Sequence, residues 1–382
     1  MGLEEFDNKA NGKGRRYKTA KEKKTEKIIN KYSPKDSSKR SEKKKKKNIP
    51  LRIFIIILIV CLIGTIICAG IFIGNKIGKI NFKSLNEDNL AINDNLYNEL
   101  SNDLTRKEYD NIINILLLGS DSKDMNNVYA GTSDAQMIIS INPKYKSIKL
   151  ISIPRDTAAN IEGMNRRYKI NQAFYLGKEE LAIKTINQTF GLGLKEYVTI
   201  NISAMYDIIN ELGGVDVTIT KDEMNSINEY IDMFYEFSGR PVKKVTKYGK
   251  ITLTGEQAAA HVKERIAGPN TKSSEHGDYG RTRRQRDVFS AMLNKIARKD
   301  IGEISRIIDM ILEQVTTNVN VTKYMTMLPE FITNKDAYLK NVTSIMLPGL
   351  DYSKEILENG AYLYVTNETK AKADFRKYMY EM

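Results

Sequence analysis

The chain has 382 residues, with 60 Lys and Arg against 47 Asp and Glu, two His, two Cys and no Trp, for a formal charge of +13. Both cysteines, Cys61 and Cys68, fall in one apolar stretch, so a disulfide framework, a cysteine zinc site and chemistry resting on several imidazoles are excluded from the rest. The charge is concentrated: residues 1–52 hold 19 Lys and Arg against 7 Asp and Glu, which leaves +1 for everything after them. A nearly neutral body speaks against nucleic acid, because binding by counterion release needs a basic surface spread over many phosphates. The length suits one domain of about 200–250 residues plus appendages.

The basic segment 1–52 is rich in Lys, Ser and Asn and poor in large apolar residues, a composition that predicts a disordered tail in contact with anionic lipid. No charge follows from 53 to 75, "IFIIILIVCLIGTIICAGIFIGN". As a helix this run is ~35 Å long, enough for a ~30 Å hydrocarbon core, and it predicts one transmembrane helix. The preceding "KKKKKNIPLR" keeps the N-terminus cytoplasmic and places the remainder outside the cell membrane. The run exceeds a signal h-region and lacks a small-x-small cleavage site, so an uncleaved anchor is expected. Val60 and Ile67 precede the two cysteines, which removes a lipoprotein site. Residues 76–110 read as a polar stalk, and 111–382 as the extracytoplasmic domain.

"NIINILLLG" (111–119), "AQMIISIN" (135–142) and "SIKLISIP" (147–154) are β-rich runs bounded by turn signals, and the first is apolar enough for a central strand. A helix is expected over 177–191, a strand over 197–201, a helix over 203–214 ended by Gly213 and Gly214, and a strand over 215–219. Thr254 and Gln257 have capping-box spacing. Strands alternating with helices predict an α/β fold, an α-β-α sandwich around a mixed sheet.

"DYGRTRRQR" (278–286) places four arginines in nine positions. On a helix over 280–299, Arg281 and Gln285 extend the stripe of Val288, Met292 and Ile296 inward, whereas Arg283 shares the opposite line with Asp287 and faces water. Periodicity does not place Arg284 or Arg286. An Arg and a Gln aimed inward near a helix N-terminus describe an anion site; equally, Arg281 satisfies a buried carboxylate such as Asp278. Asp121, Asp134, Arg155 and Asp156 stand at strand ends, where α/β sheets place ligands, although a lone Asp there is commonly a turn residue. His261 reads as a packed helix residue.

Seven segments in order resemble the LytR-CpsA-Psr family of membrane-anchored cell-wall enzymes: "NILLLGSDS", "SDAQMIISINP", "IKLISIPRDT", "KINQAF", "ELGGVDVTI", "LTGEQAAAHVKER" and "DYGRTRRQR". They run from 111 to 293. The resemblance implies a pocket for a polyprenyl chain and a rim holding pyrophosphate and Mg²⁺ or Mn²⁺. It implies transfer of a glycopolymer, such as teichoic acid or capsule, from polyprenyl pyrophosphate to peptidoglycan. Carried over by position, Asp121 and Asp134 are similar to the metal and acid/base carboxylates. Arg155, Lys263, Arg265, Arg281 and Gln285 resemble the pyrophosphate clamp, with Asp156 and Asp278 as orienting partners. Such chemistry asks for positioning and charge rather than a covalent nucleophile, and guanidinium forks suit phosphate.

Two departures from the pattern stand out. Thr132 occupies a position where the family has Arg, and His261-Val262-Lys263-Glu264-Arg265 stands where it has Tyr-x-Arg-x-Arg. Arg166, Arg167 or Lys169 are candidates to compensate. The competing functions are hydrolysis of the same lipid pyrophosphate, with water as acceptor, and a non-enzymatic regulator binding nucleic acid.

Overall fold

A seven-stranded mixed sheet, ordered β1-β10-β7-β2-β3-β4-β11, organises the computed structural model. The structure describes residues 81–100, 104–122, 127–238, 241–263, 277–296, 298–320 and most of 324–381, all within one compact unit. In chain order the elements are β1 (Asn81–Phe82), α1 (Arg106–Asp110), β2 (Ile113–Ser120), β3 (Ser133–Asn142), β4 (Ser147–Ser152), β5 (Ala158–Asn160), β6 (Arg167–Lys169), α2 (Gln172–Phe190), β7 (Glu196–Asn201), α3 (Ile202–Glu211), β8 (Val215–Ile219), α4 (Lys221–Ser238) and β9 (Gly249–Leu253). There follow α5 (Gly255–Lys263), α6 (Gly277–Ile296), α7 (Ile301–Gln314), β10 (Val315–Thr317), α8 (Lys335–Lys340), β11 (Val342–Met346), β12 (Ser353–Glu358), β13 (Ala361–Thr366) and α9 (Glu368–Tyr380). The expected tail over 1–52, the expected span over 53–75 and Arg265 lie outside the described residues. Among those described, no helix is long and apolar enough to cross a membrane.

Alternation along the strands divides the molecule into layers. Leu116 and Leu118 of β2, Ile138 of β3 and Ile151 of β4 turn to one face, where Ala182, Ile186 and Phe190 of α2 and Phe375 and Met379 of α9 cover them. Phe190 and Phe375 stack at 4.4 Å between ring centroids. On the opposite face Ile200 of β7 packs with Ile208 and Leu212 of α3, Met292 and Ile296 of α6, and Ile307 of α7. A separate cluster joins α3, α4, α5 and α6 to the β8–β9 pair through Ile209, Ile227, Ile231, Val217, Leu253, Ala260, Val288 and Ala291.

Two expectations change. The segment read as a stalk enters the domain: Asn81 and Phe82 pair with β10, and Leu90, Leu96 and Leu104 are buried in the main core. Its polar composition hid three leucines spaced too irregularly to mark one helix face. Strand β8 pairs with β9 alone and not with the main sheet. Its pattern of buried Val215, Val217 and Ile219 alternating with exposed Asp216 and Thr218 is that of a strand with one wet face, not a central strand.

The other local readings agree with the structure. Strand β2 is central. Thr254 N donates to Gln257 Oε1 at 3.0 Å and Gln257 N to Thr254 Oγ1 at 3.4 Å, the reciprocal capping pair. Helix α3 ends as Gly214 N donates to the Ile209 carbonyl at 2.9 Å, with both glycines at positive φ, 76° and 87°. Because Phe375 is fully buried, Phe375→Ala should destabilise the protein by about 3–5 kcal/mol; a denaturant titration reads this, and an unchanged midpoint would mean that α9 is dispensable to the core.

Candidate active site

The register between β2 and β3 slips where the site begins. Gly119 opposes Ala135 and Ser120 opposes Ser133, so Asp134 is the extra residue of a β-bulge. Bulges of this kind re-aim a side chain at the end of a ladder. The carboxylate of Asp134 turns toward Asp121, just beyond β2. Gly131 makes room: a Cβ there would lie 2.7 Å from Asp121 Oδ1 and 2.6 Å from Ser122 N. The hydroxyl of Thr132 lies between the two acids, 3.1 Å from Asp134 Oδ1 and 3.4 Å from Asp121 Oδ1.

Guanidiniums reach the same carboxylate from two directions. Arg155, beyond β4, donates from Nη1 to Asp134 Oδ2 at 2.6 Å. Arg281 of α6 donates from Nη1 to the same oxygen at 3.1 Å and from Nη2 to Asp278. Asn171 Nδ2, at the start of α2, adds a bond to Asp134 Oδ1 at 3.2 Å. A second tier surrounds these groups: Arg155 Nε lies 3.4 Å from Asp156 and 3.6 Å from Asp278, and Lys169 Nζ lies 2.7 Å from Asp156. Arg281 and Asp278 are buried, whereas Arg155 and Asp134 retain 15% and 17% of their side-chain exposure. The cluster is therefore sealed at Arg281 and Asp278 and partly accessible at Arg155 and Asp134.

The carboxylates are electrically unlike. Burial pushes Asp134 up, but Arg281 and the Arg155 hydrogen bond outweigh it and hold the group below the ordinary Asp range. Asp121 moves the other way, raised by burial and then by the charge of Asp134, against the smaller pull of Lys263 and Arg155. Burial likewise raises Asp278. Two neighbouring acids driven apart in this manner divide into one that stays ionised and one that accepts a proton more readily.

A family model, the LytR_cpsA_psr family, matches residues 79–378. The chain belongs to this family. Among curated relatives, the polyisoprenyl-teichoic acid--peptidoglycan teichoic acid transferase TagV of Bacillus subtilis is 29% identical over 198 residues, covering 50% of this chain and 46% of the relative. The transferase of the same description named TagU from Bacillus cereus is 32% identical over 238 residues, covering 62% and 69%. Among solved structures, the LytR-CPS2A-psr family protein YwtF (TagT) with bound octaprenyl pyrophosphate lipid superposes with a TM-score of 0.51 at 25% identity. That match covers 73% of this chain and 94% of the other.

Of the residues singled out for the LytR_cpsA_psr site, Asp121, Asp134, Arg155, Asp156, Asp278 and Arg281 converge as described. Lys263, at the end of α5, is near enough to pull on Asp121 electrostatically. Gln285 is half-buried, and no bond of the cluster reaches it. Helix α6 begins at Gly277 rather than 280, which puts Asp278 in the first turn and Arg281 one turn inside. Of the two readings of Arg281, the structure shows the pairing with Asp278, and Arg281 also reaches the strand-end acid Asp134. Of the candidates to compensate for Thr132, only Lys169 enters the cluster; Arg167 pairs with Glu358 and Arg166 lies over the Tyr168 ring.

The remaining arginines have other roles. Arg283 does not face water alone but bonds Glu223 at 2.9 Å and Asp287 at 2.8 Å. Helix α4 packs over a face that periodicity within α6 cannot reveal. Arg284 is buried, with Nε donating to the His261 carbonyl at 3.1 Å. His261 is packed as expected, and burial with Arg284 and Arg283 pushes its imidazole down to about 3, so it stays neutral. Sequence reasoning assigned no role to Asn171 or to the hydroxyl of Thr132; the hint to Asn171 was its place in the segment "KINQAF".

A carboxyl whose folded pKa is raised favours folding in acid and opposes it once pH rises through the folded value. Asp121 is such a group. Asp121→Asn should therefore be more stable than the parent at neutral pH in the presence of a chelator, and equal to it in acid. Urea midpoints across pH read the difference, and a neutral-pH loss of stability would show that Asp121 is not held against repulsion.

Proposed function

We propose that this protein transfers a glycopolymer from a polyprenyl pyrophosphate carrier to peptidoglycan, at the outer face of the membrane that its N-terminal segment spans. The observation that carries the reading is the meeting of Arg155 and Arg281 on one oxygen of Asp134. Two guanidiniums held by buried acids at an open strand end form a clamp for a diphosphate. The teichoic acid transferase names of relatives and the prenyl pyrophosphate in a structure of similar fold support the same substrate class.

In this reaction a hydroxyl oxygen of the acceptor forms a bond to the phosphorus that carries the glycopolymer. The bond from that phosphorus to the bridging oxygen breaks, and polyprenyl monophosphate leaves with the electron pair. Arg155 and Arg281 neutralise the charge that grows on the bridging oxygen and hold the two phosphates in line. Asp134 stays ionised and keeps both forks aligned. Asp121 is the carboxylate placed to take the acceptor proton.

Two carboxylates joined across one hydroxyl match the hard-oxygen donors Mg²⁺ prefers, with phosphate and water completing the shell. No group of three His, Cys, Asp or Glu is assembled among the described residues, so Asp121 and Asp134 would hold the ion together with substrate. Burial raises Asp121, and the repulsion from Asp134 that adds to it is what a divalent cation would relieve. Mg²⁺, or Mn²⁺ in its place, would supply charge to the diphosphate oxygens. Added Mg²⁺ should raise the melting temperature of the parent but not that of Asp121→Asn; equal responses would remove Asp121 from the metal site.

The test of the function uses the full chain with lipid-linked polymer and peptidoglycan. Arg155→Ala and Arg281→Ala should each lower attachment at least about a hundredfold, with folding verified by a cooperative denaturation. Attachment retained in both variants overturns the clamp. Free polymer with no wall-linked product would instead assign hydrolysis, water having replaced the acceptor hydroxyl.

A further inference from the structure

We propose that the end of the sheet carrying Asp121 and Asp134, together with the first turn of α2, lies against the bilayer as a docking face for an anionic phospholipid surface. The proposal rests on the anchor and lipid-diphosphate readings above and adds an orientation to them. Tyr175 and Leu176 are 58% and 47% exposed. Beside them on α2, Lys178 is exposed and lies 4.6 Å from the Tyr129 ring centroid. Phe174, next to Tyr175, stacks on the same ring at 5.9 Å. Lys83 of the incoming chain, 5.2 Å from that centroid, is neutralised by the buried Glu179 at 2.8 Å, which leaves Lys178 as the exposed cation of the patch. A tyrosine, a leucine and a lysine on one turn suit the headgroup layer, where apolar groups sink and amines meet phosphate.

The backbone maintains this exposure. Helix α2 breaks after its first turn, with Gly177 at φ −144° and Lys178 at φ 56°, an uncommon conformation for a side chain beyond glycine. The break sets Tyr175 and Leu176 apart from the buried stripe that resumes at Glu179 and Ala182.

The route of the chain points the same way. Asn81 pairs with Thr316, which pairs with Thr199, which pairs with Leu118. The polypeptide thus enters the sheet level with Leu118, three residues from Asp121, or about 10 Å along the strand. Five residues separate the expected span at 53–75 from Asn81, and fully extended they reach about 22 Å at most. The sheet end bearing the clamp is therefore the end tethered near the membrane. Asn171, bonded to Asp134, precedes Tyr175 by four residues, about 6 Å of helix. A docked first turn consequently holds the clamp at the depth of a lipid diphosphate.

The experiment uses the full chain, with Cys61 and Cys68 replaced by Ser, in vesicles of phosphatidylglycerol and phosphatidylcholine. A bimane label is attached to Tyr175→Cys or Leu176→Cys, and as a control to Lys144→Cys. Lys144 is exposed in the turn between β3 and β4, at the sheet end opposite Asp121 and Asp134. Nitroxide lipids should quench the two α2 labels at least twofold more than the control. Equal quenching, or stronger quenching at Lys144→Cys, overturns the proposal. In a second arm, Tyr175→Ser with Leu176→Ser should lower attachment from vesicle-borne substrate about tenfold and leave turnover of a short-chain prenyl pyrophosphate in detergent unchanged. Equal loss in both settings would assign these residues to the active site and also overturn docking. A parent with no turnover at all would refute the proposed reaction, whereas the quenching pattern judges the docking face separately.

Discussion

Asp134 accepts hydrogen bonds from two guanidiniums, an amide and a hydroxyl, and a carboxylate so enclosed stays ionised only because they are there. The rest of the site depends on that interaction. Arg281 is buried, and its burial is tolerable because Asp134 and Asp278 share its charge. Asp121 is raised by its burial and further because Asp134 keeps its own charge. A charged cluster of this kind contributes little net stability, since desolvation offsets its attractions. In the proposed reaction its value is orientation: the guanidiniums would be set before substrate arrives, with no reorganisation needed at the moment of reaction.

The cluster also links parts of the molecule that pack separately. Strand β3 supplies Asp134 and belongs to the main core through Ile138. Helix α6 supplies Asp278 and Arg281 and belongs to the second cluster through Val288 and Ala291. The geometry of the clamp therefore follows from how two apolar clusters seat a helix against a sheet. Among the described residues Asp121, Asp134, Asp156 and Asp278 face Arg155, Lys169, Lys263 and Arg281, a formal balance before any ligand binds. The diphosphate of the proposed reaction would upset that balance by at least two charges, the physical reason for proposing a divalent cation with it.

The four arginines of "DYGRTRRQR" are better understood as four separate solutions than as one basic patch. A helix turns about 100° per residue, so neighbours in sequence meet different surroundings. Arg281 bonds Asp134, Arg283 pairs at the surface of α4, Arg284 is sealed against the His261 carbonyl, and Arg286 has Nε and Nη1 buried without hydrogen-bond partners among the described residues. Density of charge in the sequence was a poor guide to a shared role.

Interactions between near neighbours in the chain were legible from the residues alone. The apolar run of β2, the alternation of β8, the Thr254–Gln257 cap and the glycine stop after α3 depend on residues within a few positions of one another, and local pattern was enough to find them. The motifs likewise marked Asp121, Asp134, Arg155 and Arg281 as belonging together. Folding alone decided that β8 leaves the main sheet, that Leu90, Leu96 and Leu104 join the core, and that a bulge aims Asp134 at Asp121. It also decided which acid is raised and which lowered, because Arg281 and Asp134 are 147 positions apart. A proton's affinity is set by charges and burial within a few ångströms in space, and only the packed chain brings those neighbours together.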